Sequence, residues 1–215
     1  MEIGPGQGED TKTRLLQAAG EAFARLGFKN ATIREICKEA GAHVGAVNYH
    51  FRDKEGLYES VFVYSFESAV KKYPPDLDIE PCASPEERLR AFIRSFLLRM
   101  MGEGFPAWHG KLMAQEIANP TGLMRQLIQT SIRPLMEYLC GIIKELTRER
   151  SETPEETHAI FNCAMSIVGQ CLHHFKGKHI IEAICPKGYD PDDIEKITDH
   201  ITRFSLGGIE AMTKR

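Results

Sequence analysis

The segment Thr32–Tyr58, TIREICKEAGAHVGAVNYHFRDKEGLY, decides the fold of this 215-residue chain. Thr32 and Glu35 have the spacing of a capping box, in which the threonine hydroxyl accepts from the Glu35 amide and the Glu35 carboxylate accepts in return. The helix that they open ends at Gly41, and a second short helix begins near Gly45. Two short helices joined by a tight, glycine-containing turn predict a helix-turn-helix, which places its second helix in the major groove of DNA.

Helical spacing of apolar residues continues on both sides of this segment. Before it, an apolar stripe from Leu15 to Leu26 stops at Gly27, as expected for a glycine at a helix C-terminus. After it, we expect helices from Lys54 to Pro74, over about 86–101, 106–118, 122–149 and 154–175, and near the C-terminus, with Pro134 kinking the fourth of these. No strand-like alternation of useful length occurs. The sequence predicts an all-α fold of about nine helices.

Three further helix starts share one arrangement. Ser84-Pro85, Thr153-Pro154 and Asp190-Pro191 each place a capping residue before a proline, and acidic residues follow. Proline suits the first helical position because the N–H that it lacks would be unpaired there, and acids favour the positive end of the helix dipole.

Charge and cysteine content restrict the class of protein. The net charge is −3, but residues 11–54 hold eight Lys and Arg against four acids, a balance of +4 that is compatible with DNA contact. The six cysteines form no CxxC pair, so we expect free thiols and a cytoplasmic location. No apolar run approaches the ~20 residues of a membrane span, so no membrane partner is expected.

We expect residues 1–10 to be a disordered leader, 11–56 a helix-turn-helix domain and 57–215 a helical ligand-binding and dimerisation domain.

The pattern TxxExxKEAGxxxGxxxxHFxxKEGLY over Thr32–Tyr58 resembles the DNA-binding domain of TetR-type transcriptional repressors. The variant Asn-Tyr-His-Phe at 48–51, together with KLMAQEIANPTGLMRQLI at 111–128, is similar to a branch that includes CecR-like regulators. The resemblance implies a homodimer that reads a palindromic double-stranded DNA operator. It also implies a C-terminal domain that binds a small-molecule inducer and releases the DNA, and it implies no cofactor.

By position, the resemblance places a set of residues at DNA: Thr32, Arg34, Val44, Gly45, Ala46, Asn48, Tyr49, His50 and Lys54. His43 departs from the family, which usually has a small hydroxyl residue capping the recognition helix there, and that helix carries no Arg or Lys. Arg34 therefore becomes the candidate for a bidentate contact to guanine, and Asn48 the candidate for adenine. Tyr49 could instead be a packed surface aromatic and His50 a brace of the next helix, whereas Val47 and Phe51 are expected in the core.

Two further sets are expected in the C-terminal domain. Methionine and aromatic side chains can line an adaptable apolar cavity, so the ligand-binding candidates are Met100, Met101, Phe105, Trp108, His109, Met113, Phe161 and Met165. A nearly all-apolar helix over 154–175 and the last helix, with its 3–4 apolar stripe, suggest a four-helix dimer interface. Its candidates are Ile167, Cys171, Ile194, Ile197, Ile201, Phe204, Gly208 and Met212. The alternative for both sets is plain packing within one monomer.

Metal binding and catalysis are weakly supported. Cys171 and His174 share a helix face, but His173 does not, and no carboxylate stands at ligand spacing, so no metal is expected. No nucleophile elbow, phosphate loop or HExxH motif occurs, and only His109 with Glu116 could do acid–base work. The chain is expected not to be an enzyme. A DNA-bound structural protein without an inducer remains the alternative to a ligand-responsive regulator.

Overall fold

The computed structural model describes residues 5–102, 108–118, 120–122, 125, 128–147 and 153–213. These residues contain ten α-helices and no strand, so the all-α prediction is confirmed. The helices are α1 (Pro5–Asn30), α2 (Ile33–Glu39), α3 (Val44–Phe51), α4 (Lys54–Lys72), α5 (Pro85–Met101), α6 (His109–Ala118), α7 (Arg133–Thr147), α8 (Pro154–Lys176), α9 (Lys178–Ile184) and α10 (Ile194–Thr213). The sequence predicted about nine helices and did not include the short α9, which follows α8 after Gly177.

Local capping chemistry sets most helix starts. Thr32, Ser84 and Thr153 each complete a capping box with the glutamate three residues on. The sequence predicted the box at Thr32 and the capping role of Ser84 and Thr153. Gly27 has φ 76°, ψ 164° and interrupts α1 where the apolar stripe ends. The helix begins at Pro5, within the segment 1–10 expected as a disordered leader, and an ion pair from Asp10 to Arg14 at 3.3 Å supports this first part.

Two expected helix features differ in detail. The last helix begins at Ile194 and not near Pro191, because the Asp190 carboxylate accepts from the Asp192 amide at 2.9 Å and holds a turn there. Asp193 then accepts from the Lys196 amide at 3.0 Å. Near Pro134 the helix is interrupted by a π-helical turn, Ile128–Ile132, immediately before α7.

The chain forms two compact units. The first comprises Met1–Lys71 with Gly104–Leu127, and the second comprises Lys72–Glu103 with Ile128–Arg215. The functional division into 11–56 and 57–215 stays a prediction. The compact units have different boundaries, and α6 belongs to the unit that contains the N-terminal helices.

Each unit has its own apolar core. In the first unit the buried side chains include Leu15, Phe23, Ile36, Val47 and Leu57. In the second unit α5, α7, α8 and α10 bury one cluster: Leu89, Phe92, Ile93, Leu97, Leu139, Ile142, Ile143, Ala164, Ile167, Cys171, Ile197, Ile201 and Ile209. Among the described helices, none combines the length and the apolar character that crossing a membrane requires.

Candidate DNA-binding surface and associated sites

Helix α2 is fixed at both ends and leaves a cationic face in solvent. Its first turn is closed by Thr32 and Glu35, whose hydrogen bonds to Thr32 lower the pKa of the Glu35 carboxyl. Its last turn is tied to α1 by an ion pair from Arg25 to Glu39 at 3.0 Å. Arg34 lies exposed between these two fixed points, so its guanidinium is held on a defined helix and is open to solvent.

Helix α3 turns one face inward and the other outward. Val47 and Phe51 are buried, as expected for the core face. Val44, Gly45, Asn48 and Tyr49 are exposed, whereas Ala46 and His50 are half-buried. Tyr49 is 84% exposed, so its ring does not pack against the core of the unit; it makes an edge contact with His50, 4.9 Å between ring centroids.

His43 precedes α3 in extended conformation. Its side chain forms no capping hydrogen bond to α3, as expected from its departure from the family pattern. The backbone carbonyl of His43 instead accepts from the Ala46 amide at 2.9 Å. The amides of Val44 and Gly45, which precede Ala46 in α3, have no acceptor within the helix and can donate to an external one.

Lys54 takes a different position from the one expected. Its ammonium donates to the Lys29 carbonyl at 3.3 Å and lies 4.7 Å from the centroid of the Phe28 ring. At the same helix start, Asp53 Oδ1 accepts from the Gly56 amide at 2.7 Å. An anion site at Lys54 therefore stays a prediction, because these groups serve contacts within the protein here.

One cation on the α2 face was missed by the sequence reasoning. Lys38 is exposed and stands four residues after Arg34, so the two side chains share one face of the helix. The i, i+4 spacing of the two cations could have identified it.

The expected ligand-binding residues divide between the two units. In the first unit Trp108, His109 and Met113 are buried. His109 Nδ1 lies 2.5 Å from the Ser65 hydroxyl. The indole of Trp108 packs so closely on α1 that a Cβ added at Gly20 would overlap it. These side chains join α6 to the N-terminal helices and are packed there.

Other members of that set lie elsewhere. Met100 and Met101 are half-buried in the second unit. Phe161 and Met165 are 50% and 46% exposed on the surface of α8, which is not where side chains lining a closed cavity would lie. Phe105 lies outside the described residues.

A buried polar network accompanies α6. Glu116 accepts from the Tyr58 hydroxyl at 3.0 Å and from the Thr121 amide and hydroxyl at 2.6 and 2.7 Å. Burial and the neighbouring Glu116 raise the pKa of Tyr58. Glu116 and His109 thus serve separate structural contacts in the first unit, with Tyr58 and Ser65 respectively.

The expected dimer residues also separate into two classes. Four of them, Ile167, Cys171, Ile197 and Ile201, are each at most 3% exposed and belong to the core of their own chain, and their place in a dimer interface stays a prediction. Helical spacing alone could not show which stripe faced inward. Ile194 is half-buried.

The remaining dimer residues line a surface groove of about 220 Å³. Phe204 is 66% exposed and Met212 is 45% exposed, with exposed Gly208 between them on α10. The Cys163 and Met212 sulfurs, 3.4 Å apart, connect this face to α8, where Phe161 and Met165 are exposed. We call Phe161, Met165, Phe204 and Met212 the apolar face.

No group of three or more His, Cys, Asp or Glu side chains that could hold a metal occurs within the described ranges. Cys171 is buried and His173 is exposed.

Two family models match the chain. The C-terminal domain of the HTH-type transcriptional dual regulator CecR matches residues 85–209, and the bacterial regulatory proteins of the tetR family match residues 15–61. The CecR regulator of Shigella flexneri is 26% identical over 199 residues, which cover 88% of this chain and 86% of that protein.

Solved structures share the fold. FadR from Bacillus subtilis, crystallised in complex with stearoyl-CoA, has a TM-score of 0.69 at 18% identity and covers 91% of this chain and 98% of its own. AibR, crystallised in complex with isovaleryl coenzyme A and operator DNA, has a TM-score of 0.65 at 20% identity, with 90% and 97% covered. At these identities the likeness shows the fold alone.

Proposed function

The chain belongs to the TetR family of bacterial regulatory proteins, in its CecR-like branch, and from this premise we propose that it is a homodimeric repressor released from a palindromic operator by a small molecule. Its family membership makes it a DNA-binding transcription regulator and not an enzyme. Repression, dimerisation and release are the proposed part.

The proposal that the protein reads an operator rests on the outward face of α3. Its exposed residues are small or uncharged, with Gly45 and Asn48 beside a tyrosine that is 84% exposed. Small side chains allow close approach to base edges, and the Tyr49 hydroxyl can donate to a phosphate. Arg34 and Lys38 on α2 would supply the charge that α3 lacks.

Dimerisation is supported by the apolar face. Four large apolar side chains on adjoining helices are each between 45% and 66% exposed. Burying such side chains gains roughly 25 cal/mol per Å² of apolar area removed from water. A two-fold axis would bring α8 and α10 of two copies together in a four-helix arrangement, with one operator half-site for each DNA-binding unit.

Release by a ligand requires differential binding. A small molecule shifts the protein away from DNA only as far as it prefers the released state to the bound one. Support for such a ligand comes from regulators of the same fold, since FadR and AibR were each crystallised with an acyl coenzyme A.

DNase footprinting on the upstream region of the protein's own gene tests the proposal. We expect a protected palindrome whose protection weakens steeply as salt rises. Reporter expression from that promoter should rise when the gene is deleted. Protection without any change in expression would favour the alternative, a DNA-bound structural protein, and absence of a protected palindrome would contradict operator binding.

A further inference from the structure

A buried arginine in the second compact unit has a charge that no described carboxylate neutralises. Arg99, near the C-terminal end of α5, is 8% exposed. It forms no ion pair with any carboxylate of the described residues, in contrast to Arg90 and Arg94 of the same helix, which pair with Glu195, Asp199 and Asp78. Buried charges are normally paired, because desolvating an isolated ion costs several kcal/mol.

Two groups orient the Arg99 guanidinium and leave its terminal nitrogen Nη2 without a described partner. Arg99 Nη1 donates to the Tyr73 carbonyl at 2.8 Å and to the Ser95 hydroxyl oxygen at 2.6 Å. Ser95 donates in turn to the Tyr73 carbonyl at 2.6 Å, which fixes its hydroxyl as an acceptor for the arginine. Arg99 Nη2 is buried and has no hydrogen-bond partner among the residues that the structure describes. Two N–H donors thus remain on a nitrogen that is already held in place.

Within the described part of the chain, the groups beside Arg99 do not supply the missing negative charge. Burial lowers the pKa of Arg99 to about 10, so the guanidinium remains protonated at neutral pH. Burial raises the pKa of the nearby Cys171 thiol to about 12, so that thiol remains neutral. The ring of Phe96, 5.8 Å from Arg99 Cζ, offers only a weak cation–π attraction.

A second polar atom without a partner lies on the neighbouring helix. His174 stands three residues after Cys171 on α8, so the two share a helix face. Its Nδ1 is buried without a hydrogen-bond partner, and burial, followed by the nearby His173 and His200, lowers the pKa of the ring. α5 and α8 pack against each other within this unit.

We propose that Arg99 is the anchor of the inducer site and binds the carboxylate of an organic acid with an apolar body. A carboxylate oxygen can accept from the free N–H groups of Nη2, and the carboxylate brings a single negative charge. A doubly charged phosphate would require more donors than Nη2 offers. Phe96, whose ring lies 5.8 Å from Arg99 Cζ, and Val168, one turn before Cys171, would give the rest of the molecule apolar surroundings. This inference rests on the proposed ligand response and adds the chemical class of the ligand.

Matched probes test the charge requirement. Straight-chain carboxylates from butanoate to dodecanoate are compared with the alcohols and the alkyl phosphates of equal chain length, by thermal unfolding of the full chain. We expect at least one carboxylate to raise the melting temperature of the wild type by about 2–4 °C, with little effect of the matching alcohol. Equal effects of acid and alcohol would overturn the proposal, and a larger effect of the alkyl phosphate would overturn the carboxylate assignment.

Variants then locate the site. In Arg99→Met the carboxylate effect should fall to that of the alcohol, whereas Arg90→Met, on the same helix, should keep it. Arg99→Lys should retain part of it, because a single ammonium keeps the charge without the planar edge. A full carboxylate response in Arg99→Met, or a loss of response in Arg90→Met but not in Arg99→Met, would contradict the assignment. If Arg99→Met does not fold, the comparison of Arg99→Lys with wild type decides.

Operator binding of the wild type, measured without any probe, distinguishes a failure of this inference from a failure of the proposed function. Operator binding with no carboxylate effect leaves the proposed function standing and removes this inference. A carboxylate effect that depends on Arg99, without operator binding, removes the proposed function and leaves the anion site.

Discussion

At the scale of single residues, Arg34 is the cation best placed to give the DNA-binding surface its sequence preference. It is exposed on α2, whose ends are fixed by the capping box and by the Arg25–Glu39 ion pair. A well-formed bidentate pair to guanine contributes about 1–3 kcal/mol of discrimination. The substitution Arg34→Ala should therefore reduce the ratio of operator to scrambled-site affinity by roughly 5-fold or more, as measured by fluorescence anisotropy.

Two controls interpret that result. Lys38→Ala should weaken binding to both DNAs alike, as a lost phosphate contact does. Arg133→Ala removes an exposed arginine from the other compact unit and should change neither affinity. An unchanged affinity ratio in Arg34→Ala would remove Arg34 from base reading.

Gly20 offers a second test at this scale, because it has a packing role in a helix interior. Replacing an ordinary helical glycine by alanine stabilises by roughly 0.5–1 kcal/mol. A Cβ at Gly20 would overlap the indole of Trp108, so Gly20→Ala should instead destabilise by about 1–3 kcal/mol. Gly141→Ala on α7, where a Cβ meets open space, should stabilise.

Trp108 reports directly on this contact. It is the one tryptophan of the sequence, so intrinsic fluorescence follows that ring alone. Gly20→Ala should shift the emission to longer wavelength as the indole is displaced, and Gly141→Ala should not. A stabilised Gly20→Ala protein with unchanged emission would show that α6 is not packed on α1 through this ring.

At the scale of elements, the apolar face on α8 and α10 predicts the oligomeric state. Phe204→Asp places a charge in the middle of that face, and burying an unpaired carboxylate opposes association strongly. Light scattering should show a dimer for the wild type and a monomer for Phe204→Asp. Ile184→Asp replaces a side chain that is 76% exposed on α9 and should remain dimeric. A dimeric Phe204→Asp protein would place the interface elsewhere.

Elements differ in how far their sequence determined them. The starts of α2, α5 and α8 were predictable because a capping box depends on residues within one turn. The outward face of α8 could not be predicted, because Phe161, Ile167 and Cys171 are all apolar and only the neighbouring helices determine which of them is buried. Arg99 was likewise invisible among the arginines of α5, since its burial depends on packing within the second unit.

At the scale of the whole molecule, a net charge of −3 means that DNA binding depends on local clusters of cations, which the proposed dimer would present twice. For binding to duplex DNA, the logarithm of the affinity falls with the logarithm of salt concentration with a slope of about −0.9 per phosphate contacted. A dimer with two identical units contacts twice as many phosphates as a monomer. We therefore expect the wild type on the full palindrome to show about twice the salt slope of Phe204→Asp on the same DNA.

The control DNA sharpens this expectation. Inserting about five base pairs between the half-sites turns one of them to the opposite face of the duplex, since a helical turn is about 10–10.5 base pairs. On this DNA the wild type should show the monomer slope, because only one unit can engage, while the slope of Phe204→Asp should not change. Equal slopes for the wild type and Phe204→Asp on the intact palindrome would mean that one DNA-binding unit makes all the phosphate contacts. The apolar face would then serve a purpose other than pairing the two units on DNA.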